Sequence, residues 1–210
     1  MDCRLFFVCA IECEKQVEGC DFLEILSAIK NRPSIRAFKE ETIPLEILQE
    51  IILMGTKAPS GKNRQPWKFV VLQNHAKQRL ADLMDEAAQQ KETCQENIGS
   101  LRISSKAIRQ ASAICLVYNA YSKSERAYSH HRGLMDTQGI GAAVQNMILA
   151  ATSFGLGTLW ICDVFQCEEA INTWIDTKDE LICAVAIGEP NQVPYERMRK
   201  PVEEIVRYMY

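Results

Sequence analysis

The stretch from about Arg132 to Phe154 constrains the fold of this chain more than any other. Gly139, Gly141, Ala142, Ala143, Val144, Met147, Ile148, Ala150 and Ala151 crowd its middle. Gly155 stands just past its end, where a helix C-terminus favours glycine. A helix of this length that is apolar on most sides has to be buried, in a core or against another subunit. A chain of 210 residues is long enough to build that core in one domain. Hydrophobic residues make up 47% and charged residues 24%, the balance of an ordinary globular protein. A formal net charge of −3 argues against a nucleic-acid-binding surface, and no apolar run approaches a membrane span.

Around this helix the periodicity changes repeatedly. Asp21-Phe22-Leu23-Glu24 reads as an N-cap with Glu at the third helical position, opening a helix to about Asn31. Pro44 suits the first turn of a second helix that runs to Lys57. Trp67 to Gln73 is a short, mostly apolar strand, and His75 to Gln90 a polar helical region. Ser112 to Asn119 and Glu180 to Ile187 read as buried strands, Thr158 to Cys162 as a short one, and Gln166 to Trp174 as a helix. Helices and strands mix without strict βαβ alternation, which predicts an α+β fold. No internal repeat or linker divides residues 21–210, which form one domain behind a tail, residues 1–20.

That tail holds Cys3, Cys9, Cys13 and Cys20, four of nine cysteines. Their gaps match neither the usual zinc spacings nor the tight ferredoxin pattern, so no metal site is expected. Arg4 precedes a short apolar run from Leu5 to Ile11, but acidic residues follow at once and no small-residue cleavage pattern is present. A secretory signal is therefore not indicated, and the cytoplasm, with reduced thiols, is the expected location. Cys115 and Cys183 sit inside apolar runs and read as core residues.

Arg32, Ser34 and Arg36 follow the first helix at i, i+2, i+4 spacing, which puts them on one side of an extended segment. Arginine offers a planar fork of donors suited to phosphate or to the carbonyl edge of a heterocycle. A second basic cluster lies at Arg197-Met198-Arg199-Lys200-Pro201, and between them stands Ala58-Pro59-Ser60-Gly61-Lys62-Asn63-Arg64-Gln65-Pro66-Trp67. The dinucleotide fingerprint G-x-G-x-x-G is missing, as is any convincing Ser-His-Asp or Cys-His arrangement.

With Gly155-Leu156-Gly157-Thr158-Leu159-Trp160-Ile161 and Ala186-Ile187-Gly188-Glu189-Pro190, these segments resemble the nitroreductase family of FMN-dependent NAD(P)H oxidoreductases. The resemblance covers about residues 21 to 206. It implies a three-layer α/β/α sandwich around a central mixed, mostly antiparallel sheet, and a homodimer with FMN at the subunit interface. Arg32, Ser34 and Arg36 would meet the flavin's pyrimidine edge, ribityl chain and phosphate, and Arg197 and Arg199 would hold the phosphate. Pro59, Ser60, Gly61 and Asn63 would reach the flavin from the other subunit. Trp160, Ile161, Cys162 and Asp163 would back the ring, with a main-chain N–H of Cys162 or Asp163 facing N5. Pro33 and Gln65 complete the implied cofactor-binding set.

The chain departs from the family pattern in places. Pro33 stands where relatives often carry a basic residue, and Gly61 where a second small hydroxyl residue is common. Cys162 occupies a place where Gly or an acid is frequent, and packing is its expected role. Asp163 could deliver a proton or cap a helix before Phe165. Lys62 and Arg64 could draw the phosphate of NADH or NADPH, but solvated loop charges are the expectation. Trp160 could stack on a ligand or fill the core, and His130-His131 reads as a solvated helix start.

The implied function needs no catalytic side chain, because the flavin carries the redox chemistry. NAD(P)H would reduce FMN and leave; a small electron-poor acceptor, such as a nitroaromatic or quinone, would then be reduced on the same face. A reductive dehalogenase is the alternative within enzymes. The polar segment from Gln89 to Ser105 could form its lid, but it lacks the tyrosine–lysine pair expected to grip a zwitterion. A non-catalytic FMN carrier or sensor is the alternative outside enzymes.

Overall fold

A computed structural model describes residues 25–194 and 197–210. The N-cap expected at Asp21, the tail and its four cysteines lie outside the described residues. The four strands are β1 (Trp67–Leu72), β2 (Ala113–Asn119), β3 (Gly157–Ile161) and β4 (Glu180–Gly188). They form one sheet in the order β1-β2-β4-β3, with every neighbouring pair antiparallel. The parallel pairing among the described residues is a single isolated bridge, Ser34 to Thr158.

Every residue of β2 is buried, which requires a covered sheet on both faces. Alternation then sorts its side chains. Ile114, Leu116 and Tyr118 join one core with Ala184 and Ala186 of β4. That core is closed by helices α3 (Asn74–Thr93), α4 (Leu101–Gln110) and α6 (Glu168–Ile175), through Leu80, Met84, Leu101, Ile108 and Ile171. Ala113, Cys115 and Val117 join the other core with Cys183 and Val185. Helices α2 (Leu45–Thr56) and α5 (His130–Ser153) close that side. The result is an α+β, three-layer sandwich, and Cys115 and Cys183 are core residues as expected.

The long helix α5 begins earlier than its apolar run, at His130, where the Ser129 side chain accepts from the Arg132 backbone N–H. Ile140, Val144, Met147, Ile148 and Ala151 form its buried stripe. The chain does not cover every apolar residue of the helix. Leu134 and Met135, near the N-terminal end, remain 48% and 44% exposed.

The polar segment from Gln89 to Ser105, weighed as a lid for the dehalogenase alternative, divides between elements. Residues to Thr93 belong to α3, and Leu101, Ser104 and Ser105 are buried on α4. Only residues 94–100 lie outside helices. Lys91 lies in that segment, and its amine pairs with Glu96 at 2.9 Å. The buried face of α4 mixes two serines with Leu101, Ala107 and Ile108, and Asp85 accepts the Ser105 hydroxyl at 2.7 Å.

Candidate functional site

Strand β3 is an edge, and the arm carrying the first arginines lies along it. The Ile35 N–H donates to the Thr158 carbonyl at 2.8 Å, and Ile35 is 1% exposed. Glycine at 157 makes this approach feasible: a Cβ there would stand 2.7 Å from Cγ1 of Ile35. The arm then zips onto the segment after β4. Phe38 bridges Pro190, Lys39 N–H donates to the Glu189 carbonyl, and Asn191 N–H to the Ala37 carbonyl, both at 2.9 Å.

These contacts gather residues far apart in sequence around a cavity of about 590 Å³. Arg36 and Arg197 line it, with Gln192. Leu159, Trp160, Ile161, Cys162 and Asp163 form another wall, and Ser100, Ile103 and Ser104 at the start of α4 a third. The volume lies within the range of about 300–1,000 Å³ usual for small-molecule sites. Guanidinium groups, an apolar wall and converging hydrogen-bonding groups suit a planar heterocycle that carries a phosphate.

The cavity thus joins six of the expected site residues: Arg36, Trp160, Ile161, Cys162, Asp163 and Arg197. Arg32, Pro33, Ser34 and Arg199 do not line it. Arg32 is not yet part of the extended arm, since its N–H donates to Ala28 at 3.0 Å, as in the last turn of helix α1 (Ile25–Asn31). The extended arm therefore begins after Arg32.

Cys162 is exposed at the cavity wall rather than packed within the core of its own chain. Partial burial, then the charge of Asp163, raise its thiol pKa. Asp163 is no helix cap. Its carboxylate accepts the hydroxyls of Ser100 and of Ser104, the latter at 2.7 Å, and so fastens the end of β3 to α4. Trp160 is 39% exposed, with its ring edge toward Gly141 of α5.

The loop Pro59–Gln65 lies elsewhere, against α5. Gly139 lets it approach, because a Cβ there would be 3.3 Å from Cβ of Ser60. Lys62, Asn63 and Gln65 all have positive φ, at 54°, 55° and 49°, which costs non-glycine residues strain. Arg64 offsets that cost and is not a solvated loop charge. Its Nε donates to Oδ1 of Asp136 at 3.2 Å, and its terminal nitrogen to Glu125 at 2.7 Å. Asp136 is 1% exposed and also accepts the Tyr128 hydroxyl at 3.0 Å. Tyr128 in turn accepts from the Asn119 side chain at 2.7 Å. The Arg64 guanidinium lies 4.8 Å from the Tyr121 ring centre. Its hydrogen bonds to Glu125 and Asp136 raise its pKa further. Nothing local marks Asp136 in the sequence; a carboxylate in an otherwise apolar helix stretch is the one available signal.

A model of the Nitroreductase family matches residues 29–189. The chain belongs to this family. It is 28% identical over 192 residues to an iodotyrosine deiodinase from Thermotoga neapolitana, covering 85% of this chain and 94% of that one. It is 30% identical over 146 residues to an Archaeoglobus fulgidus protein assigned as an NADH dehydrogenase/NAD(P)H nitroreductase, covering 70% and 71%. Among solved structures, a Desulfovibrio desulfuricans nitroreductase in complex with FMN superposes with a TM-score of 0.69 at 28% identity, covering 90% of this chain and 98% of that one. The nitroreductase fold and an oxidoreductase role for a flavoprotein follow from this membership.

Proposed function

We propose that this chain is a cytoplasmic, homodimeric FMN enzyme that uses NADH or NADPH to reduce electron-poor acceptors such as nitroaromatics or quinones. The observation that carries the reading is the meeting of Arg36, Arg197 and Trp160–Asp163 at one cavity in a nitroreductase fold. When bound, FMN supplies hydride acceptance and donation. The protein's part is binding and orientation. Arg36 and Arg197 hold the phosphate through charge-assisted hydrogen bonds, and Arg199 lies two residues further along the segment that carries Arg197. The main chain at Cys162 and Asp163 presents N–H groups to the ring edge. Leu159 and Ile103 keep that wall apolar. Asp163, committed to Ser100 and Ser104, fixes the wall's end rather than acting as an acid.

The loop bearing Pro59, Ser60, Gly61, Asn63 and Gln65 does not line the cavity of its own chain. In the dimer it completes the partner's site. The exposed Leu134 and Met135 beside it on α5 support a covered face there.

A second reading is a dehalogenase-type flavoenzyme acting on a halogenated aromatic amino acid, favoured by the full-length similarity to an iodotyrosine deiodinase. Residues 94–100 contain no tyrosine. Anaerobic addition of NADH or NADPH to the purified protein tests the first reading. The bound flavin should bleach, and a nitroaromatic should restore its colour. Restoration by iodotyrosine alone favours the second reading, and no bleaching leaves a carrier or sensor.

A further inference from the structure

Gln192 lines the cavity, though neither the motif nor the family resemblance singled it out. Gln192 follows the stretch in which the arm at 37–39 and the segment at 189–191 pair through their backbones. There the ladder passes from main chain to side chain. The Gln192 amide oxygen accepts the N–H of Arg36 and the N–H of Ala37, each at 2.9 Å. Ala37 is thereby held on both sides, since its carbonyl accepts from the Asn191 N–H at 2.9 Å. Two successive N–H groups converging on one oxygen define the backbone direction at Arg36. They also remove two donors that would otherwise compete for an anion in the cavity.

We propose that Gln192 is a positioning residue for the phosphate end of the cavity. It sets the root of the Arg36 side chain, so the guanidinium is already aimed when the ligand arrives. The inference rests on the flavin reading above. An arginine whose backbone is fixed loses less freedom on binding, and that pre-organisation appears as affinity. The benefit falls on ligands that carry the phosphate.

The test compares FMN with riboflavin, which lacks the phosphate, by titrating flavin-free protein. Wild type should prefer FMN. Gln192→Met keeps the length of the side chain and loses the acceptor; it should weaken FMN roughly tenfold, the scale of one hydrogen bond, and leave riboflavin unchanged. Amide hydrogen exchange of flavin-free protein gives a second reading. Protection of the Arg36 and Ala37 amides should fall in Gln192→Met and return in Gln192→Glu, which restores an acceptor. If Gln192→Met does not fold, Gln192→Asn, whose oxygen is drawn back by one methylene, must show the same loss of preference. A wild-type protein that binds both flavins equally overturns the phosphate reading itself. A wild type that prefers FMN, with a variant that prefers it as strongly, overturns the role of Gln192 alone. Tighter FMN binding in the variant also overturns it, because the glutamine would then be blocking the site.

Discussion

Arg64 and Arg36 are the same residue type on two loops of one domain, and the fold uses them in opposite ways. Arg64 turns inward. Its donors end on Asp136 and Glu125, its face on Tyr121, and the strained loop around it is held by the chain's own atoms. Arg36 is fixed at its backbone, by Gln192, while its side chain faces a cavity and makes no ion pair among the described residues. A guanidinium satisfied within the chain acts on stability. One rooted but left open acts on ligand binding. The difference separates structural from functional arginines more sharply than charge or sequence motif does.

The largest effect that could break this contrast is on folding. Arg64→Met leaves the carboxylate of Asp136 buried, with the Tyr128 hydroxyl as its one remaining partner among the described residues. Breaking a buried pair from one side costs about 3–5 kcal/mol. Arg36→Ala should change the unfolding free energy of flavin-free protein by less than about 0.5 kcal/mol. Chemical denaturation of the two variants decides, and equal losses would dissolve the contrast.

Ligand binding should reverse the order. Arg36→Ala should weaken FMN by about 1.5–3 kcal/mol, the range for a hydrogen bond to a charged group. Arg36→Lys should recover part of this, because the charge stays and the fork is lost. Flavin fluorescence titration reads both. Unchanged affinity in Arg36→Ala would place the phosphate elsewhere.

The two arginines also show what was legible in the sequence. Strands β2 and β4 were, because their apolar runs are short and bounded, and so was α5, because its small residues continue over many turns. The signals that failed are long-range. Arg64 meets a carboxylate 72 positions away and Arg36 meets Gln192 156 positions away. No local pattern encodes such a pairing, so Arg64 read as a solvated charge and Gln192 as nothing. Helix α4 failed for a different reason. Ser104 and Ser105 are buried with their hydroxyls on Asp163 and Asp85, so a polar sequence hides an inward face. Of the residues the family segments implied, Arg36, Trp160–Asp163 and Arg197 line one cavity, while Arg32 and Ser34 do not.

A smaller effect probes the seat of the Arg36 arm. Gly157→Ala would set a Cβ 2.7 Å from Ile35, a clash with a buried side chain. Overpacking of this kind costs typically about 1–3 kcal/mol. Because Ile35 precedes Arg36, the loss should appear both in the melting temperature and in FMN affinity. A variant that melts lower yet binds FMN as wild type does would show that the arm's seat and the arginine's aim are independent.

The smallest effect is in pH dependence, and it isolates the closed network. The Arg64 hydrogen bond is the main cause holding the Glu125 carboxyl below its ordinary value of 4.5; partial burial opposes it, and the charges of Arg132 and Arg64 add to it. A carboxyl depressed in the folded state stabilises the fold above its unfolded pKa. That contribution is lost as pH falls through the lower folded value, where the folded protein at last takes up the proton. Wild-type stability should therefore decline with acid below about pH 4.5, partly through Glu125. In Arg64→Met the main cause of the depression is gone, so the folded and unfolded carboxyls titrate closer together. The stability gap between wild type and this variant should narrow as pH is lowered from 6 toward about 3, whereas the gap for Arg36→Ala should stay flat. Urea midpoints across that range measure it. A gap that stays constant for Arg64→Met would mean that the pairing of Arg64 with Glu125 contributes nothing to stability.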